Sequence, residues 1–84
     1  MTTNIKITYC RPCGFQGRAI KLADDLLREL GSMGITVTLE PGSGGVFDVY
    51  VNNELIFSRH REGRFPESSE LVRIIKGLIT SAEP

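Results

Sequence analysis

The chain has 84 residues, enough for one domain with a thin core, and its ten Lys plus Arg balance its ten Asp plus Glu. That balance gives no global electrostatic argument for nucleic acid, a membrane surface or acidic substrates. Hydrophobic residues make up 40% of the chain, and no apolar run approaches the ~20 residues a membrane helix needs.

A single domain over residues 1–84 is the expectation, without internal repeats or low-complexity segments. Met1-Thr2-Thr3-Asn4 has neither the basic region nor the apolar core of a signal peptide, so a cytoplasmic location is expected. Residues 4–9 alternate, with Ile5, Ile7 and Tyr9 on one face and Asn4, Lys6 and Thr8 on the other. That is a strand with one wet face. A helix is expected from about Pro12 to Leu30, with Ala19, Leu22, Ala23, Leu26, Leu27 and Leu30 as its apolar stripe. Gly31 and Gly34 are its stop residues.

Residues 35–40 alternate again through Ile35, Val37 and Leu39, which makes a βαβ unit with parallel strands. The breakers Pro41-Gly42-Ser43-Gly44-Gly45 follow. A third alternation covers residues 46–52, with Phe47, Val49 and Val51 against Asp48, Tyr50 and Asn52. Asn52-Asn53 reads as a tight turn into a returning strand at residues 55–58. Arg59 to Arg64 read as a basic loop. A second helix is expected from about Glu67 to Thr80, with Leu71, Ile74, Ile75 and Leu78 inward and Val72 and Ile79 flanking. Residues 81–84 read as a frayed tail.

The order is β-α-β-β-β-α. Three strands with one polar face, and only two helices, predict a two-layer α/β sandwich with both helices on one side. A central first strand gives a mixed four-stranded sheet ordered 2-1-3-4.

The chemistry of the chain concentrates at Cys10-Arg11-Pro12-Cys13, between the first strand and the first helix. A Cys-x-x-Cys at a strand-to-helix junction is the signature of a thioredoxin-like redox site. Unpaired N–H groups and partial positive charge at a helix start favour a thiolate. Arg11 adds a charge between the sulfurs, and Pro12 suits a first helical turn. Small-residue packing is the bland alternative for the pair. Metal binding is a third, but two thiolates and a lone His60 fall short of the four ligands of structural zinc. Gly14, Phe15, Gly44 and Gly45 are read as shaping the site. No motif for a cofactor, whether metal, nucleotide or flavin, is visible.

These segments resemble the selenoprotein W-like (SelT/SelW/SelH, Rdx) family. The resemblance rests on residues 5–9, on Cys10-Arg11-Pro12-Cys13-Gly14-Phe15, on residues 45–52 and 55–59, and on Gly63-Arg64-Phe65-Pro66. It implies a thioredoxin-like fold and a redox protein linked to thiols and glutathione. Many members carry selenocysteine at the second position of the motif, which here is Cys13, so the chain resembles cysteine-containing, bacterial-type members. Thioredoxins place a cis-proline before the third strand. Gly44-Gly45-Val46 stands there in this chain.

The resulting expectation is a thiol–disulfide oxidoreductase with Cys10 and Cys13 as catalytic dithiol and glutathione or protein thiols and disulfides as partners. The thioredoxin analogy makes Cys10 the attacking sulfur and the selenocysteine of relatives makes it Cys13; the Pro12 geometry tips the reading to Cys10. The alternative is a non-catalytic interaction module switched by its dithiol state. The polar sheet face is a surface for at most a weak homodimer, since solvent already satisfies its residues.

Overall fold

The computed structural model describes residues 3–81, and side chains as far as Ile79. Its elements are β1 (Thr3–Cys10), α1 (Gln16–Leu30), β2 (Ile35–Gly42), β3 (Phe47–Val51), β4 (Glu54–Ser58), α2 (Arg59–Glu62) and α3 (Ser68–Ser81). The sheet runs β2-β1-β3-β4, with β1 parallel to β2 and antiparallel to β3, and β4 antiparallel to β3. The expected two-layer sandwich and strand order are therefore present.

Alternation sets which face is buried. Ile5, Ile7 and Tyr9 of β1 and Phe47, Val49 and Val51 of β3 point inward and meet Ala19, Leu22, Leu26 and Leu30 of α1 and Leu71 and Ile75 of α3. At about 25 cal/mol per Å² of apolar surface removed from water, this one layer supplies most of the driving force for folding. The β3–β4 connection is a two-residue turn in which Asn52 (φ 50°) and Asn53 (φ 72°) both take positive φ. Asn bears that conformation with less strain than most residues.

Several boundaries differ from the expectation. The helix begins at Gln16, not near Pro12. Gly14, at φ 80°, donates to the Arg11 carbonyl at 3.0 Å and closes a turn that a helix cannot continue through. The left-handed cap is Gly34, because Gly31 starts a short 3-10 turn with helical dihedrals. Leu27 is about half exposed instead of buried. In α3 the inward residues are Leu71 and Ile75 with Val72 and Ile79 beside them, while Ile74 and Leu78 face outward. Residues 59–62 form a one-turn helix where a loop was expected. Ser58 caps it by accepting from the Arg61 N–H, and Gly63 ends it at φ 74°. Pro41 belongs to β2, paired with Tyr9. Of the expected tail, Ser81 ends α3 and residues 82–84 lie outside the described residues.

Candidate functional site

The C-terminal end of β1, a central strand, carries the motif, as open α/β sheets place their sites. Cys10 is the last residue of β1 and Cys13 lies in the turn that follows. Their sulfurs are joined as a disulfide across a Cα–Cα distance of 5.3 Å. The two residues are placed very differently: Cys10 has no exposed surface, and Cys13 is exposed. This reverses the accessibility that the thioredoxin analogy implied for Cys10.

Backbone hydrogen bonds explain why Cys10 is shut in. Its N–H donates to the Val46 carbonyl at 2.7 Å, and the next N–H, of Arg11, donates to the Gly42 carbonyl at 3.1 Å. The Cys10 carbonyl accepts from the Phe15 N–H at 3.2 Å. The segment from Gly42 to Val46 thus grips the end of β1 from both sides. Gly44 (φ 72°) and Gly45 (φ 78°) let it turn sharply enough to do so. Gly44-Gly45-Val46, the stretch expected in place of a cis-proline, runs directly into β3.

The grip is itself held. Arg59 donates from Nη1 to the Gly45 carbonyl at 3.2 Å, and its guanidinium lies 5.3 Å from the Phe15 ring centre and 5.2 Å from that of Phe65. Phe15, Phe47 and Phe65 pack edge to face, with centroid distances of 4.8 Å for Phe15–Phe65, 5.3 Å for Phe47–Phe65 and 6.4 Å for Phe15–Phe47. Arg18 covers Phe65 from another side at 4.1 Å. Phe15 therefore joins the core margin and does not cap the disulfide as a free lid.

Of the other residues singled out in the sequence, Arg11 and Pro12 are exposed, and Arg11 makes no ion pair among the described residues. The later helix start puts Phe15 at the N-cap position, so Cys13 precedes the helix by more residues than expected and feels less of its dipole. The basic group splits. Arg64 forms a two-pronged pair with Glu70 at 2.9 and 2.8 Å, Arg61 pairs with Glu62, and Arg59 turns to the glycine loop. The Arg64 pair holds Glu70 below the usual carboxylate range.

Sequence reasoning missed Arg59 and Phe65 as parts of the site, and treated Asp48 as a plain surface residue. The signal for the first two was an aromatic and a cation in segments read as loop, with nothing to show that they converge. A cleft of about 370 Å³ between α1 and α3, lined by Asp25, Arg28, Glu29, Ser68, Ser69 and Val72, includes neither cysteine. Of the pair, only Cys13 lies in the exposed turn, and Cys10 ends β1 without exposed surface. Among the described residues no helix is long and apolar enough to cross a membrane, and no group of three His, Cys, Asp or Glu is placed to hold a metal ion.

Comparison with known proteins supports the same reading. The fold matches the crystal structure of a selenoprotein W-related protein from Vibrio cholerae with a TM-score of 0.88 at 36% identity, covering 94% of this chain and 99% of that one. A crystal structure from Bordetella parapertussis matches with a TM-score of 0.84 at 34% identity, covering 89% and 95%. Among curated proteins, migration and invasion enhancer 1 of Mus musculus is 33% identical over 87% of this chain, and a SelT-like protein of Arabidopsis thaliana is 50% identical over 45% of it. The chain spans 62% of the length of the first of these and 18% of the second. The Rdx family matches residues 4–77, which takes in the cysteine pair, all of the sheet but its first residue and most of α3, and the chain belongs to that family.

Proposed function

We propose that the chain is a thiol–disulfide oxidoreductase in which Cys13 attacks and Cys10 resolves, working in a reducing compartment such as the cytoplasm. The observation that carries this reading is the burial split within the pair: Cys13 is exposed on a turn and Cys10 has no exposed surface. A sulfur without exposed surface cannot meet an external disulfide. It is well placed to displace a partner from its neighbour three residues away. The Cys13 thiolate attacks a partner disulfide or a glutathionylated thiol, forming a mixed disulfide and releasing a thiolate. Cys10 then attacks the Cys13 sulfur, the Cys10–Cys13 bond forms, and the second partner sulfur leaves. Glutathione or a dithiol protein returns the pair to the reduced state. Family membership and a disulfide already formed at the motif support the redox reading. The absence of either cysteine from the cleft between the helices favours protein and flexible thiol partners over an enclosed small molecule.

The test is redox equilibration in graded glutathione buffers, with mass spectrometry to count thiols, glutathione adducts and internal disulfide. A reversible internal disulfide is expected, and in a Cys10→Ser variant the glutathione adduct accumulates on Cys13. Two thiols that stay reduced and unmodified throughout would overturn the reading. An interaction module switched by its dithiol state then moves forward.

A further inference from the structure

We propose that Asp48 is the proton acceptor for Cys10 when that thiol resolves a mixed disulfide on Cys13; the inference rests on the dithiol reading above. Three observations converge on it. First, the side chains of β1 point alternately to the two faces of the sheet, although Tyr9 and Cys10 are both buried at its end. Tyr9 points into the core, so Thr8 and Cys10 share the opposite face. Second, the ladder places Asp48 beside them. Thr8 stands opposite Asp48, and one step further the Cys10 N–H bonds the Val46 carbonyl. Asp48 is therefore the diagonal neighbour of Cys10 on one face, at about 7–8 Å between backbones and less between side chains. At that spacing one water between the thiol and the carboxylate can carry the proton from one to the other.

Third, Asp48 Oδ1 is buried and accepts no hydrogen bond from the described residues. Neither carboxylate oxygen of Asp48 takes part in an ion pair among them. A carboxylate oxygen withdrawn from water without a donor is unfavourable and calls for an explanation. The redox state supplies one. The structure holds the disulfide, in which neither sulfur carries a proton. Reduction gives Cys10 an S–H on the face where Asp48 has an open acceptor.

The charged and titratable groups around Asp48 leave this role to Asp48. On the same sheet face, Lys6 lies 3.9 Å from Glu40 and 4.8 Å from the Tyr50 ring centre, while Thr8 donates to Glu40. On the other side Ser58 stands opposite Asp48 and leads into Arg59, His60, Arg61 and Glu62. Arg59 is engaged at Gly45 and Arg61 at Glu62, and His60 lies beside Gly45. The helices α1 and α3 pack on the opposite face.

The step balances as follows. Cys10 Sγ–H gives its proton to the Asp48 carboxylate. Its electron pair forms the Cys10–Cys13 bond, the bond between Cys13 and the partner sulfur breaks, and the partner leaves as a thiolate. Reduction runs in reverse, with protonated Asp48 returning the proton to the departing Cys10 sulfur.

The experiment mixes reduced protein with oxidised glutathione, quenches with acid, and follows mixed and internal disulfide by mass spectrometry. In Asp48→Asn, resolution near pH 7 is expected to slow by about 100-fold, the scale of a positioned general base. The defect should shrink as pH rises and the thiol comes to ionise without a base. Formation of the mixed disulfide at Cys13 should be unchanged, and Asp48→Glu should restore part of the rate. Identical pH profiles for wild type and Asp48→Asn overturn the proposal, and so does a defect of equal size at every pH, which marks a structural role. If neither protein forms a mixed disulfide, the dithiol reading itself falls and takes this one with it. Where Asp48→Asn fails to fold, carbon NMR of the Asp48 carboxyl in the wild type decides: its titration should shift between oxidised and reduced protein, and an unchanged titration overturns the proposal.

Discussion

Phe65→Leu probes what holds the site together. Phe65 meets Phe15 and Phe47 edge to face, with the guanidinium groups of Arg18 and Arg59 at 4.1 and 5.2 Å from its ring centre. An edge-to-face ring pair is worth about 0.5–1.5 kcal/mol beyond its buried area, and an exposed guanidinium over a ring about 0.5–1 kcal/mol. A plain sum over these neighbours is about 2–5 kcal/mol. Leucine keeps much of the apolar area, and neighbouring terms are not independent, so the expected loss is about 2–3 kcal/mol. For a domain of this size that lowers Tm by roughly 8–24 °C. Thermal unfolding of the oxidised protein, followed by circular dichroism, reads the effect. A double-mutant cycle with Phe15→Leu should give a coupling of at least about 0.5 kcal/mol. A Tm drop below about 3 °C, with no coupling, would refute the idea that the aromatic group fastens the motif turn to the core.

Two further outcomes follow from the same geometry. Arg59→Met removes the donor to the Gly45 carbonyl and the cation over Phe15 and Phe65. It should cost about 1–3 kcal/mol and speed amide exchange at Cys10, whose N–H bonds the next carbonyl along, while exchange at Ile5 and Ile7 stays slow. Equal acceleration at all three sites, or none at Cys10, argues against a clamp. Acid is the second case. The hydrogen bond from Arg64 holds Glu70 below its ordinary value of 4.5, so the pair stabilises the fold above that pH and the contribution is lost as pH falls through the lowered value. Tm measured against pH should therefore drop more steeply below 4.5 in the wild type than in Glu70→Gln, and parallel curves would contradict it.

The sheet was legible because its strands have one wet face: Ile5, Ile7, Val49 and Val51 alternate with polar or half-buried residues, and period two is visible in a few residues. The edge strand β2 shows the limit of that signal. Leu39 has the right phase yet is 37% exposed, because an edge position receives less cover from the helix layer. In α3, six apolar residues span more than one face, so the sequence allowed two stripes. Packing beside α1 selects Val72 and Ile79 over Ile74 and Leu78. The one-turn α2 is too short for any period, though Ser58 before it and Gly63 after it are ordinary helix-end residues. At the site, the two cysteines were legible from spacing alone. Their unequal burial was not, since it depends on the chain from Gly42 to Val46 closing over the end of β1. Arg59 and Asp48 acquire their places only through strand pairing and the turn into α2.

The closing of β1 by that segment also bears on how partners are recognised. A thioredoxin presents backbone before its third strand, next to the cis-proline, to pair with a substrate chain. Here the Val46 carbonyl is occupied by the Cys10 N–H at 2.7 Å, and the Gly45 carbonyl by Arg59 at 3.2 Å. Both carbonyls are used to hold the motif. Under the thiol–disulfide chemistry proposed above, recognition falls to the exposed turn itself, to Cys13 with Arg11 and Pro12 beside it. The expected outcome is reaction with a broad range of accessible disulfides, and a rate that depends strongly on the peptide sequence around the disulfide would refute it.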